Sequence, residues 1–383
     1  MKNSVLSAAL NPAAFHAICV CLFLMLCLWP AKAFAENSRE IVDAFGRTHE
    51  IPGEITRVIC SGAGCLRLLT YLQAHDRAVG VDSAEKGGLP FSTDARPYAI
   101  ANPELSLLPL FGEFRGHDSP ELIVALEPQP QVIFKVLSSV DGSADRLQVK
   151  TGIPVIAIGY GDLVKRRAEL DQALEIMGRV LGLENRAKEV MAYFNSLQDD
   201  LHLRTRDIGE DKKPSVYIGG VAMRGGHGFQ STDATYAPFE FLNARNLAAE
   251  LYSPDKRADQ ASVAKEKIID WDPDIVFMDI STTVQDGMAN GLEQLRSDPA
   301  YQILTAVQQG KVFGVFPYRF YTLNFENILA NAYYIGTVLY PERFQDIDPM
   351  EKAEEISTFL NGGPAFNIIN TQFNNLGFSR LGL

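Results

Sequence analysis

Beyond its first 35 residues the chain has only two of its five cysteines, Cys60 and Cys65. A multi-disulfide scaffold is thereby excluded, and two thiols without partner His or Cys pairs do not make a zinc site. Histidine is equally scarce: six in 383 residues, one of them within the first 35, and no His-rich loop. That argues against a binder of bare zinc or manganese, which would want imidazole or oxygen ligands. No dense run of Lys or Arg occurs, and 35 basic side chains face 47 acidic ones, for a net charge of −12. The first 35 residues hold Lys2, Lys32 and no acid, so the remainder carries −14. Nucleic-acid binding, which exchanges a basic surface for phosphate counterions, does not fit this balance. Also missing are His-Glu-x-x-His, Gly-x-Ser-x-Gly and a glycine loop ending in Gly-Lys-Ser/Thr, the anchors of metalloprotease, serine-hydrolase and nucleotide chemistry.

What is present reads as globular: 46% hydrophobic and 21% charged residues over a length suited to two or three folded units. Near the start, Lys2 precedes an apolar run, Ala17-Ile-Cys-Val-Cys-Leu-Phe-Leu-Met-Leu-Cys-Leu-Trp29, then Pro30 and Ala33-Phe34-Ala35. About 13 apolar residues are short for a bilayer span but suit a signal-peptide core, with cleavage expected after Ala35. Cys27 follows Leu26 and Cys19 follows Ile18, without the small residues that lipidation requires. The expected product is a soluble exported protein in the periplasm, with residues 1–35 as its signal peptide. In that oxidising compartment Cys60 and Cys65, flanking Ser-Gly-Ala-Gly, are either a disulfide pair or two small buried thiols.

From residue 57, short apolar runs alternate with helical spacing. Arg57-Val-Ile-Cys60 reads as a strand, Gly62 and Gly64 as a turn, and 66–75 as a helix. Ala78-Val-Gly-Val81 is a second strand, 82–117 a loop-rich stretch, 120–126 a helix, and 131–134 and 154–158 further strands. Strands separated by helices predict a parallel sheet with covered faces. Over 162–207 the period becomes helical: Leu170, Leu174, Met177 and Leu181, a break at Gly182, then Ala187, Val190, Phe194, Leu197 and Leu201. The second part alone, 184–206, would reach roughly 34 Å, a spacer between two α/β units. Strands restart at 215–219, 275–279 and 311–315, and 326–360 reads as mostly helical. The expected fold is therefore α/β: lobes of mostly parallel strands at 36–161 and 211–345, joined through 162–210 by one long rigid helix. Residues 346–383 follow as a helical tail.

The halves echo each other. Glu121-Leu-Ile-Val-Ala-Leu-Glu-Pro-Gln-Pro-Gln-Val-Ile-Phe134 and Glu266-Lys-Ile-Ile-Asp-Trp-Asp-Pro-Asp-Ile-Val-Phe277 both run from Glu through a short helix and Pro into a strand. With Cys60-Ser-Gly-Ala-Gly-Cys65, Asp76-Arg-Ala-Val-Gly-Val81 and the long central helix, these motifs resemble the periplasmic substrate-binding proteins of ABC importers for iron chelates, haem and cobalamin. The resemblance covers 57–345. Gly225-Gly-His-Gly-Phe-Gln-Ser-Thr232 and Asn331-Ala-Tyr-Tyr-Ile-Gly-Thr-Val-Leu-Tyr-Pro-Glu-Arg-Phe344 look like a subgroup that binds iron compounds. It implies a monomeric binder rather than an enzyme, without a resident cofactor. Its ligand, a siderophore-type iron chelate or else haem or cobalamin, would lie in a cleft between the lobes. Delivery would be to permease subunits working with an ATPase, with Glu121 and Glu266 engaging one subunit each. A periplasmic hydrolase is the rival class, though the acids show no distinctive pairing.

Ligands of α/β lobes meet the loops at the carboxyl ends of the strands. Those loops contain Arg96, Arg115, Arg224 and Arg319, suited to carboxylate or catecholate groups, and Tyr98, Tyr160, Tyr236, Tyr318 and Tyr321, whose flat faces suit a bulky complex. Phe316 and Phe320 read as core. His227, in a glycine-rich loop, is a hydrogen-bonding residue before it is a metal ligand.

Overall fold

The computed structural model describes residues 38–87, 93–222, 227–252, 260–283 and 290–383. The first lobe carries β1 (Ser38–Val42), β2 (Thr48–Pro52), β3 (Val58–Ser61), β4 (Val81–Asp82), β5 (Leu110–Glu113), β6 (His117–Asp118), β7 (Val132–Val136) and β8 (Val155–Ile158). Strands β3, β7 and β8 form a parallel sheet in that order, and a bridge from Val58 to Ala78 leads toward β4. The second lobe carries β9 (Ser215–Gly219), β10 (Ser231–Asp233), β11 (Arg245–Asn246), β12 (Gln260–Ser262), β13 (Ile275–Asp279), β14 (Val312–Val315), β15 (Arg319–Phe320) and β16 (Thr322–Leu323). Its sheet, β11-β9-β13-β14, is parallel throughout.

The two echoing segments hold matching places. Helix Pro120–Val124 leads into β7, and helix Lys265–Trp271 leads into β13. Each strand lies between two parallel neighbours, so the repeat in the sequence marks the middle of each sheet.

The connector is two helices, Arg167–Leu181 and Glu184–Thr205, with Gly182 at φ 69° between them. A left-handed residue at a helix end is where glycine costs least. The longer helix buries Ala187, Val190, Phe194, Leu197 and Leu201 and also packs on helix Phe325–Leu339. At the junction Phe194, Tyr71 and Phe325 meet with ring centroids 6.0–6.4 Å apart, and Tyr160 stacks on Phe325 at 5.1 Å. One apolar core therefore runs from Val58 and Leu68 in the first lobe to Val216 and Phe277 in the second.

Three features depart from the sequence reading. The β1–β2 hairpin precedes the first expected strand; Asp43 in its turn accepts from the backbone of Phe45, Arg47 and Ala157. Burial would raise this carboxyl, but those amides and His49 hold it below the usual value. The stretch 82–117 is not plain loop: it holds β5, β6 and helix Pro97–Ala101, elements too short for periodicity to register. The tail, expected to be helical, holds helices Pro349–Asn361 and Phe366–Gln372 but then returns to the sheet, where Arg380 bridges antiparallel to Phe313 on β14. Among the described residues no helix is long and apolar enough to cross a membrane.

Candidate functional site

Residues that follow β8 and β14 line a common pocket, and each lobe carries one arginine in the grip of acids. On the first lobe Arg96 is buried beside Asp94 and Glu85, at 2.6 and 2.8 Å. Tyr98 donates to the same Glu85 at 2.6 Å and accepts from Arg96 at 3.0 Å. Burial pushes the Tyr98 phenol well up, Arg96 opposes that, and Glu85 adds to it. On the second lobe Arg319 bonds Asp233 at 3.0 Å and Tyr318 at 2.8 Å, and Tyr318 donates to Asp233. Of the cations predicted from the sequence, Arg96 and Arg319 are each already matched to a carboxylate of their own lobe.

Two pockets open between these clusters. One, with about 420 Å³ of empty space, is lined by Asp162, Lys165, Asp233, Tyr318 and Arg319 among others. The other, about 220 Å³, is lined by Cys60, Gly62, Gly64, Asp82, Glu85, Tyr98 and Tyr321. Tyr321 comes from the β15–β16 hairpin and crosses to the first lobe, donating to Asp82 at 2.8 Å and accepting from the Arg115 amide at 3.1 Å. The Arg115 guanidinium lies over the Phe114 ring, 5.2 Å from its centroid.

Other predicted residues fall elsewhere. Tyr160 donates to the Leu323 carbonyl at 2.6 Å, and Tyr236 is buried, accepting from Asn331 at 3.2 Å and packed edge-on to Tyr318. Both phenols are taken up by protein partners, because both rings sit in the core rather than on the cleft wall. Cys60 and Cys65 are free buried thiols, Cys65 lying 3.6 Å from the Phe134 carbonyl. His227 is half-buried, its carbonyl accepting from Thr282. Arg224, Gly225 and Gly226 lie outside the described residues. No cluster of three His, Cys, Asp or Glu able to hold a metal ion occurs among the described residues. Glu121 and Glu266 are exposed, each in the first turn of its helix. Ser119 caps the first helix through the Leu122 amide, whereas Ala264 gives the second no side-chain cap.

The residues the sequence reading missed are the acids and the buried Arg67. Asp82 and Asp279 end β4 and β13, at strand termini whose loops also carry the predicted cations and aromatics. Burial, with help from Glu85, pushes Asp82 up to about 6 against Tyr321, the Ala84 amide and Arg96. Burial pushes Asp279 up to about 7 against Ser281 and Arg319. The folded Asp279 therefore keeps its proton where an unfolded aspartate has lost it, and stability falls as pH rises from about 4 to about 7. Asp279→Asn is expected to flatten that fall, which is at most about 1.4 kcal/mol per pH unit. It should leave the variant more stable than the parent at pH 8 and not at pH 4. Urea unfolding at the two pH values checks this; an unchanged slope would place the titration on another group.

Residues 58–317, about two thirds of the chain, match the family described as periplasmic binding protein. The chain belongs to that family, whose members bind solutes rather than transform them. It is similar to the molybdate-binding protein MolA of Haemophilus influenzae, 24% identical over 348 residues, which span 85% of this chain and 92% of that one. MolA bound to molybdate has been solved as the cognate binding protein of an ABC transporter; it matches with TM-score 0.63 at 21% identity, over 85% of this chain and 98% of that one. A periplasmic solute-binding protein of Veillonella parvula matches with TM-score 0.65 at 17% identity, over 88% and 99%. The periplasmic heme-binding protein HutB of Vibrio cholerae matches with TM-score 0.52 at 19% identity, over 75% and 99%. The fold is the two-lobed one of periplasmic binding proteins.

Proposed function

We propose that this periplasmic binding protein captures an anionic iron complex, a siderophore-type chelate, in its cleft and delivers it to an ABC importer permease after export and cleavage behind Ala35. The observation carrying this reading is the pair of acid-held guanidinium groups: Arg319 lines one pocket with Tyr318, and Arg96 lies buried against the rings of Tyr98 and Tyr321, which line the other. A solute's carboxylate or catecholate oxygens would take over from Asp233 on Arg319, and the tyrosine rings supply flat apolar surface. Haem and cobalamin suit the same surfaces. A second reading, a metal oxyanion, is favoured by the likeness to the molybdate-binding protein. It would use the arginines and leave the rings idle.

Intrinsic fluorescence titration with ferric catecholate, haem, cobalamin and molybdate separates these readings. The first predicts strong quenching by an iron chelate and little by Zn²⁺ or Mn²⁺, with Arg319→Ala weakening binding by about 1–3 kcal/mol. Saturation by molybdate alone would favour the oxyanion. Higher affinity for the bare cations would overturn both.

A further inference from the structure

We propose that Tyr321 is the closure residue of the cleft: its bond to Asp82 on the opposite lobe holds the lobes together, so that solute entry and exit require it to break. The proposal rests on the reading of the cleft as the capture site and concerns how the cleft opens.

Strands β15 and β16 pair Arg319 with Leu323 and Phe320 with Thr322, leaving Tyr321 alone at the apex with φ 68°. A tyrosine is an unfavourable choice for a left-handed position, where glycine or asparagine would sit without strain. An outside contact must hold it there, and the structure supplies one. The phenol donates to Asp82 at 2.8 Å and accepts from the Arg115 amide at 3.1 Å. Its ring faces the Arg96 guanidinium at 5.8 Å and the Phe114 ring at 6.2 Å. All four partners belong to the first lobe, whereas the hairpin belongs to the second.

The two ends of the hairpin differ. Its base is fixed in the core, where the Leu323 carbonyl accepts from Arg67 at 2.7 Å and from Tyr160 at 2.6 Å, and Asn324 is bonded by Arg67. Its apex borders the pocket beside Asp82, Glu85 and Tyr98. A base tied down in the core and two cross-cleft bonds at the tip, to Asp82 and to the Arg115 amide, make a strap that pivots at Leu323 and opens at Tyr321.

The test measures lobe separation without solute, so its outcome is independent of which solute binds. Spin labels at Val149→Cys and Ile303→Cys, both exposed and on opposite lobes, report the distance distribution in the mature chain. Tyr321→Phe keeps the ring and loses the hydroxyl with both of its bonds; it should broaden the distribution toward longer separations, and Asp82→Ala, which leaves the bond from the Arg115 amide, should broaden it in the same direction. Asp82→Asn, which keeps an acceptor for the phenol, should resemble the parent. Should Tyr321→Phe fold poorly, the contrast between Asp82→Asn and Asp82→Ala decides alone. Distributions identical to the parent in the variants lacking the bond, or equal broadening by Asp82→Asn and Asp82→Ala, would overturn the proposal.

Discussion

Arg67→Ala should destabilise the protein by about 3–5 kcal/mol, the scale of leaving one partner of a buried ion pair alone. Arg67 lies on the first-lobe helix Cys65–Tyr71 with no exposed surface, and its guanidinium approaches Glu326 of the second lobe at 3.7 Å. It also bonds the Tyr160 hydroxyl, the Leu323 carbonyl and Asn324. Burial would weaken its hold on a proton, yet Tyr160 and Glu326 more than offset that and keep it above the usual arginine value. Alanine would leave the Glu326 carboxylate buried with neither oxygen hydrogen-bonded. The double replacement Arg67→Met with Glu326→Leu removes both charges and should recover most of the loss. Urea unfolding of both variants checks this, and a single variant as stable as the double one would show that the Glu326 carboxylate left alone is not the source of the loss.

The second large effect concerns delivery. Glu121→Ala combined with Glu266→Ala is expected to leave the solute Kd within about twofold while strongly reducing transport in reconstituted vesicles. Both carboxylates are exposed on helices that feed the middle strands β7 and β13, away from the acid-held arginines of the cleft. Charges at an interface rim govern association rate and register more than the chemistry behind them. An acid in the first helical turn is also favoured by the helix dipole, so full transport by the double mutant would reduce both residues to that role.

The fold was legible where periodicity is long or repeated. Leu170 to Leu201 spans enough turns for the break at Gly182 to stand out, and the Glu-helix-Pro-strand echo marks the centre of both sheets. The short elements were not legible: β5 and β6 offer four and two residues, too few for a period. The site was legible by residue type rather than by pairing. Tyr98, Tyr318, Arg319 and Tyr321 line the pockets and Arg96 lies buried behind them, but the acids that hold them come from positions 11 to 239 residues away or two residues off along the chain, and nothing local announces such partners. Tyr160 and Tyr236 share loops with cleft residues yet turn into the core, a choice that only packing decides. Arg67 hid within an apolar helical pattern for the same reason.

Whether the chain is an exported carrier of a solute is decided by native mass spectrometry of the protein purified from its own periplasm. The expected spectrum shows a polypeptide beginning at Glu36 with one metal-containing adduct per chain, released on denaturation and absent from an Arg96→Ala, Arg319→Ala variant. A polypeptide retaining Met1, with no adduct in any preparation, would contradict the account.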